Sequence, residues 1–540
     1  CLGINVFAQE FEVQGRVLQH DDMLPLSDVQ VVIAELQQSS FTDRNGQFSF
    51  SLKPGTYTLV TRFLGYRQEE QQLLVEDRDV YLQVNLTRQA ASLKEVVVEG
   101  ERQYDFASTR LRQVEGTAIY ASKKNEVILI DALSANLAGN SSRQLYAHVP
   151  GLNIWESDGA GLQLGLGIRG LSPNRTANFN TRQNGYDIAA DALGYPESYY
   201  TPPAEALERI EIVRGAASLQ YGTQFGGMLN FVFRDPPKDE PLEVTTRQTY
   251  GSWNFYNQFT RIAGSSGKWR YQTFYQYKRG DGWRPNAGFQ NHLWFGSLAY
   301  VPNEALSVKL EMTHMQYLAQ QAGGLTDAQF TQNARQSVRP RNWFEVNWNL
   351  LALELDYKIT ERTRLNGRHW MNISGRQALG KLDKIYELDF GENRDLIRDR
   401  YRNAGAEWRL SHRYNLFGRQ STVLGGMRYY RGVTYQQQGL ANNGSGPDFS
   451  FNTPGDLEGS DYRFPQQNLA VFAENVFQIS EQFSVTPGMR FEYIRTEADG
   501  YFNRVTRDFA GNEVGRRRTD EVRNRPRSLM LLGVGASYRP

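Results

Sequence analysis

Arg335, Arg339 and Arg341 stand close together just ahead of Asn342-Trp343-Phe344, in a stretch bordered by amides. A guanidinium matches a carboxylate in shape as well as charge, so three of them together suit a polycarboxylate ligand. A solvated basic loop is the plainer alternative. A second stretch, Ser172 to Tyr186, holds Arg175, Arg182 and Gln183 among Asn and Thr, with few aliphatic residues. It reads as a surface loop facing a polar, anionic ligand, although loops carry this composition without binding anything. No catalytic dyad or metal cluster accompanies these stretches. The histidines, His20, His148, His292, His314, His369 and His412, are scattered without metal-ligand spacing. Cys1 is the only cysteine, so neither a disulfide nor a cysteine-based zinc site forms within the chain.

The elements that must position these arginines are β-strands. In Trp269 to Lys278 the odd positions are mainly aromatic and the even ones mainly polar; Leu351 to Ile359 repeats the pattern. In Val485 to Tyr493 the same period sets Arg490 and Glu492 opposite Met489, Phe491 and Tyr493. A period of two excludes amphipathic helices and matches strands with one face to lipid and one to a lumen. No run approaches the ~20 apolar residues of a membrane-spanning helix, but barrel strands average out as hydrophilic and escape that test. Aromatic residues make up 12% of the 540, enough for two interfacial girdles. The formal net charge of +1 gives no bias toward nucleic acid, and none is expected as a partner.

Ahead of the alternating region the chain divides into four parts. Residues 1–9 read as the end of a signal peptide. Residues 10–89 show short alternating runs punctuated by Asp43-Arg44-Asn45-Gly46 and Lys53-Pro54-Gly55, which predicts a small β-sandwich of about five to seven strands. In the linker 90–103, Leu93-Lys94-Glu95-Val96-Val97-Val98 is short and β-prone, suited to pairing with another sheet's edge; it also reads as a last strand of the sandwich. Residues 104–237 end in a strand, Ile210 to Val213, a compact turn and a second strand, Met228 to Phe233.

The run Glu208-Arg209-Ile210-Glu211, Arg214-Gly215, Tyr221-Gly222 and Gly226-Gly227 closely resembles the plug signature of TonB-dependent outer-membrane receptors. Tyr146 to Ile154 and Leu166 to Leu171 match the same plug in the same order. Residues 10–89 resemble a carboxypeptidase-regulatory-like domain. Asp191 to Tyr200 and the segment around Arg335 look like the ferric dicitrate receptor branch. The resemblance implies a mainly β protein: the sandwich, an α+β plug over 104–237, and an antiparallel barrel over 238–540, of ~22 strands in the family. About a dozen strands are present, so the barrel is expected to be incomplete, with its last part missing.

The same resemblance makes Leu93 to Val98 a TonB box, pulled by TonB with its inner-membrane motor proteins. Plug Arg169 and Arg214 would meet barrel Glu474 and Glu492, since a desolvated charge in the lumen needs a counterion. Gly170, Gly215 and Gly222 would allow tight plug turns. The implied function is import of a ferric chelate, most of all ferric citrate, across the outer membrane of a Gram-negative bacterium. Arg175, Arg182, Gln183, Arg335, Arg339 and Arg341 would be its ligand contacts. Another siderophore or a glycan is the alternative cargo. No enzyme activity and no cofactor are implied; iron travels as the chelated ligand. Outer-membrane lipid is the remaining partner.

Overall fold

The computed structural model describes the chain apart from residues 1–9, 21–22, 37, 64–65, 67, 88–107, 134–136, 138, 140, 147–148, 157, 162–163, 215–218, 223–225, 509–512 and 539–540. The chain separates into two compact units, residues 1–97 and 98–540.

The first unit is a sandwich of seven strands: β1 (Phe11–Gln19), β2 (Gln30–Ile33), β3 (Gln38–Phe41), β4 (Gln47–Leu52), β5 (Gly55–Arg62), β6 (Glu69–Val75) and β7 (Val80–Leu86). One sheet runs β4-β1-β7 and the other β3-β2-β5-β6. The alternation in β4 turns Phe48, Phe50 and Leu52 inward onto Val13, Val31 and Leu59. The β3–β4 turn closes because one Asp43 carboxylate oxygen accepts from the Asn45 and Gln47 amides, both at 2.8 Å, while Gly46 takes φ +74°.

The second unit opens with the plug. Its strands are β8 (Ser108–Thr109), β9 (Val114–Glu115), β10 (Ala118–Ile119), β11 (Asn125–Leu129), β12 (Leu152–Glu156), β13 (Leu164–Ile168), β14 (Phe179–Gln183), β15 (Tyr186–Asp187), β16 (Leu207–Arg214) and β17 (Gly227–Phe233), with one short helix, α1 (Ser142–Tyr146). Six of them form a sheet in the order β15-β14-β17-β16-β11-β8. The β16–β17 pairing places the plug signature at its centre. Gly227 sits at φ +115°, and a Cβ there would lie 1.8 Å from the Val213 carbonyl oxygen, so glycine alone fits. Arg209 and Glu211 are buried in β16 but pair with each other at 2.9 Å, and Asn230 of β17 donates to Glu211 at 2.8 Å.

Twelve antiparallel strands follow: β18 (Glu243–Gly251), β19 (Phe255–Ser266), β20 (Trp269–Gly280), β21 (Phe289–Asn303), β22 (Leu306–Gln320), β23 (Trp343–Thr360), β24 (Thr363–Gly380), β25 (Arg394–Leu416), β26 (Arg419–Ala441), β27 (Ser460–Gln478), β28 (Phe483–Arg507) and β29 (Glu513–Tyr538). They pair in chain order as one open sheet with β18 and β29 at its edges. Tight turns join them at one end and longer loops at the other, and the 281–288, 321–342, 381–393 and 442–459 loops share the second mouth. The period of two holds: in β28, Met489 and Phe491 are exposed on the outer face while Arg490 and Glu492 are buried on the inner one. From β25 on, strands run to 23–26 residues except β27 at 19, well beyond a bilayer crossing, and project past it at the long-loop mouth. The β26–β27 ladder accordingly continues to Gln438↔Ser460.

The plug core merges with the wall. Phe233 packs on Phe274 and Phe295, ring centroids 5.8 and 4.7 Å away, so β17 and the inner face of β20–β21 share one apolar cluster.

Candidate functional site

A cavity of about 270 Å³ lies at the long-loop mouth, between the plug and the wall. The β12–β13 hairpin brings Trp155 to it, the segment after β15 brings Tyr195, Glu197 and Tyr199, and strands β23 and β24 bring Phe344 and Arg376. Arg376 pairs with Asp399 of β25 at 2.6 Å and lies over the rings of Tyr195 and Tyr199 at 5.3 and 5.8 Å. The two tyrosine hydroxyls hydrogen-bond at 2.5 Å. Asp191 holds this segment to the wall: it accepts from Tyr430 and Thr434, both at 3.0 Å, and burial raises its carboxyl above the ordinary carboxylate range. The arrangement offers aromatic faces and one guanidinium whose charge Asp399 already balances. Among the described residues no group of His, Cys, Asp and Glu is placed to hold a metal ion.

The predicted arginines are placed differently. Arg339 is 3% exposed and spends its guanidinium on the main chain, donating to the carbonyls of Val338, Asp383, Lys384 and Glu387 at 2.7–3.4 Å. Arg341 donates to Asp389 at 2.9 Å and to the carbonyls of Glu392 and Asn443; its hydrogen bond holds the Asp389 carboxyl below the ordinary range. Both residues therefore tie loops 321–342, 381–393 and 442–459 together, which corrects their expected role as ligand contacts. A loop without regular hydrogen bonding exposes carbonyls, and five-donor guanidiniums satisfy several at once. Arg335 stays exposed, with Nε donating to the Trp283 carbonyl at 2.9 Å. Arg175 lies in a single helical turn, Asn174–Thr176, beside the cavity-lining Asn174.

Arg182 and Gln183 are not on a loop. They belong to β14, are at most 1% exposed, and face the wall: Arg182 meets both oxygens of Glu407 at 3.3 and 3.2 Å, and Gln183 donates to Tyr186 and Thr313. Their expected ligand role is corrected to plug–wall anchoring, because a desolvated guanidinium is stable only beside its carboxylate.

The expected lock is also rearranged. Arg214 pairs with Glu126 inside the plug, and Arg169 is exposed at φ +52° in the turn after β13. Glu474 instead receives Lys123 at 2.6 Å and Gln220 at 3.1 Å, and Glu492 pairs with Arg490 on its own strand at 2.5 Å. Among the described residues the plug–wall ion pairs are Lys123–Glu474, Arg182–Glu407, Asp187–Arg428 and, at 3.5 Å, Glu205–Arg247. Arg409 shares Glu407 and, like Arg182, stacks on Tyr221, at 4.7 and 4.9 Å. The sequence carried a sign of this: Glu407-Trp408-Arg409 has the charged–aromatic–charged spacing of Arg490-Phe491-Glu492. Of the glycines expected in turns, Gly170 and Gly222 take φ +80° and +99°. Gly215, His148 and the Leu93 to Val98 segment lie outside the described residues.

Three family profiles match in succession: the CarboxypepD_reg-like domain over residues 13–98, the TonB-dependent Receptor Plug Domain over 123–228, and the TonB dependent receptor-like β-barrel over 310–519. TonB-dependent receptor P39 of Formosa agariphila is 27% identical over 169 residues, 31% of this chain and 15% of its own length. The vitamin B12 transporter BtuB of Photobacterium profundum is 30% identical over 140 residues, 26% of this chain and 21% of its own length. Among solved structures, the ferric citrate transporter FecA in its unliganded form superposes with TM-score 0.63 at 22% identity, over 77% of this chain and 60% of that one. The chain thus spans less than two thirds of each of these relatives, and the structural likeness establishes the fold. The chain carries, in order, the regulatory-like, plug and barrel domains of TonB-dependent outer-membrane receptors.

Proposed function

We propose that this receptor imports a ferric chelate, bound in the cavity between Trp155, Tyr195, Tyr199, Phe344 and Arg376 and energised through TonB acting on Leu93 to Val98. The observation that carries the reading is the cavity itself: it opens toward the long loops, which face outward in such barrels, and its floor is plug while its wall is barrel. A ligand there touches both bodies at once, so its binding can bias the plug. The relatives support the cargo class, since FecA carries ferric citrate and BtuB vitamin B12.

Ferric citrate is the first ligand to test, held by Arg376 and, at the rim, by exposed Arg335. The lining favours a second reading within the same class. Four aromatic rings and a charge-balanced guanidinium suit a chelate with flat ring faces and a single acidic group better than one made wholly of carboxylates. Calorimetry on the intact receptor in detergent, with ferric citrate and a ferric catecholate side by side, separates them. Citrate binding that disappears in Arg376→Met supports the first reading, and catecholate binding that weakens in Tyr199→Ala supports the second. No heat with either chelate from a folded receptor refutes iron-chelate import.

A further inference from the structure

Gln220 follows β16 in the compact turn before β17 and is fully buried. A glutamine side chain has two N–H donors and two acceptor lone pairs, and here all are used. Its Nε2 donates to the Ile119 carbonyl at 2.8 Å and to Glu474 Oε2 at 3.1 Å. Its Oε1 accepts from the Ile119 amide at 3.2 Å and from Arg409 Nη1 at 3.2 Å. Toward Ile119 the amide therefore acts as one rung of a β-ladder, holding both main-chain groups of a residue that belongs only to the two-residue strand β10.

The segment so held is the first part of the described plug. Ile119 and Ala121 share an apolar cluster with Leu424, Phe472 and Val476 of the wall, and the other polar ties include these: β8 pairs with β11 through two residues, Arg409 and Ser411 donate to the carbonyls of Thr117 and Gly116 at 3.4 and 3.1 Å, Tyr120 meets Tyr221 at 2.9 Å, and Lys123 reaches Glu474. Gln220 alone among them joins this segment, the turn before β17 and two wall strands, β25 and β27. Arg490 fixes the same turn by donating to the Leu219 carbonyl at 3.0 Å.

We propose that Gln220 is the positioning residue that keeps the plug's leading segment, residues 116–123, fastened to the wall, and that its release is the step by which tension on that segment reaches the turn before β17. No other side chain of similar size can replace it. An aliphatic one orphans the Ile119 amide and leaves its carbonyl to Lys123 Nζ alone, at 2.7 Å, and a glutamate loses both donors and sets a second carboxylate against Glu474. The tension itself rests on the proposed TonB coupling; the clip does not, and its test needs neither ligand nor force.

The test is hydrogen exchange on the intact receptor in detergent, with heat-modifiable gel mobility as the check that the barrel is folded. Gln220→Glu is expected to speed exchange at Ile119, Tyr120 and Ala121 by about tenfold or more, leaving β20–β22 unchanged. Adding Glu474→Gln exchanges amide and carboxylate across the same 3.1 Å contact and is expected to recover part of the protection, since a carboxylate at 220 still cannot donate to the Ile119 carbonyl. A side chain that merely filled space would show no such recovery. Gln220→Asn, which withdraws the amide by one carbon, is expected to loosen the same amides and serves if Gln220→Glu does not fold. Unchanged exchange in a folded single variant, or a double variant no slower than Gln220→Glu, overturns the proposal.

Discussion

Removing either end of the Arg182–Glu407 pair should destabilise the plug by unequal amounts. Both side chains are 1% exposed, and Arg182 bridges the two carboxylate oxygens at 3.3 and 3.2 Å. Arg182→Met leaves Glu407 with Arg409, whose Nε and Nη2 lie 2.8 and 2.7 Å from Oε1. The carboxylate keeps a counterion, so the cost sits at the low end for a broken buried pair, about 3 kcal/mol. Glu407→Gln has the opposite outcome: Arg182 and Arg409, both held against the Tyr221 ring, lose their shared anion and repel each other. That places its cost at the high end, about 5 kcal/mol. Native-state hydrogen exchange in urea, read at the β14 amides, measures both. The reasoning fails if Arg182→Met costs as much as Glu407→Gln, or if both shift opening by less than about 0.5 kcal/mol, the scale of an ordinary surface substitution.

Three further outcomes are expected. Half-buried Glu115 has its carboxyl pushed up from 4.5 to about 7, by burial first and by the charge of Glu211 second. Its protonated form is thus the one the fold prefers: the stabilisation is complete below 4.5 and is lost as pH rises through about 7, so amides of β9 and β10 should open more readily at pH 8 than at pH 6 after correction for intrinsic exchange, and Glu115→Gln should abolish the difference. Arg339→Ala frees the carbonyls of Asp383, Lys384 and Glu387, and trypsin should then cut at Lys384 about tenfold faster, whereas Arg335→Ala should leave that rate unchanged. Gly227→Ala meets the Val213 carbonyl and a left-handed backbone together; it should cost at least about 3 kcal/mol in plug stability by the same exchange measurement, more than an ordinary glycine substitution.

Much of the architecture was legible because it depends on local pattern. Alternation in Trp269 to Lys278 and Val485 to Tyr493 specifies strands whose two faces meet different solvents, and the structure keeps those residues in β20 and β28. The plug signature located β16 and β17. The sandwich holds seven strands, within the five to seven expected, and of these β3 and β6 carry the weakest local pattern because they are largely polar.

What the sequence alone determined was which charges the chain carries and on which face of a strand each falls. It could not pair them. Arg182 and Gln183 look like loop residues by composition, yet they form a buried strand because β17 lies parallel beside them and Glu407 stands opposite, 225 positions away. Arg339 and Arg341 look like ligand contacts, yet neighbouring loops supply carbonyls that need donors. Gln220 has no sequence signature at all; its role exists only because Ile119, Glu474 and Arg409 converge on one amide. Local periodicity follows from the chain's own geometry, but the partner of a buried charge is chosen by whichever opposite group the closed packing brings within reach, and that is decided in three dimensions.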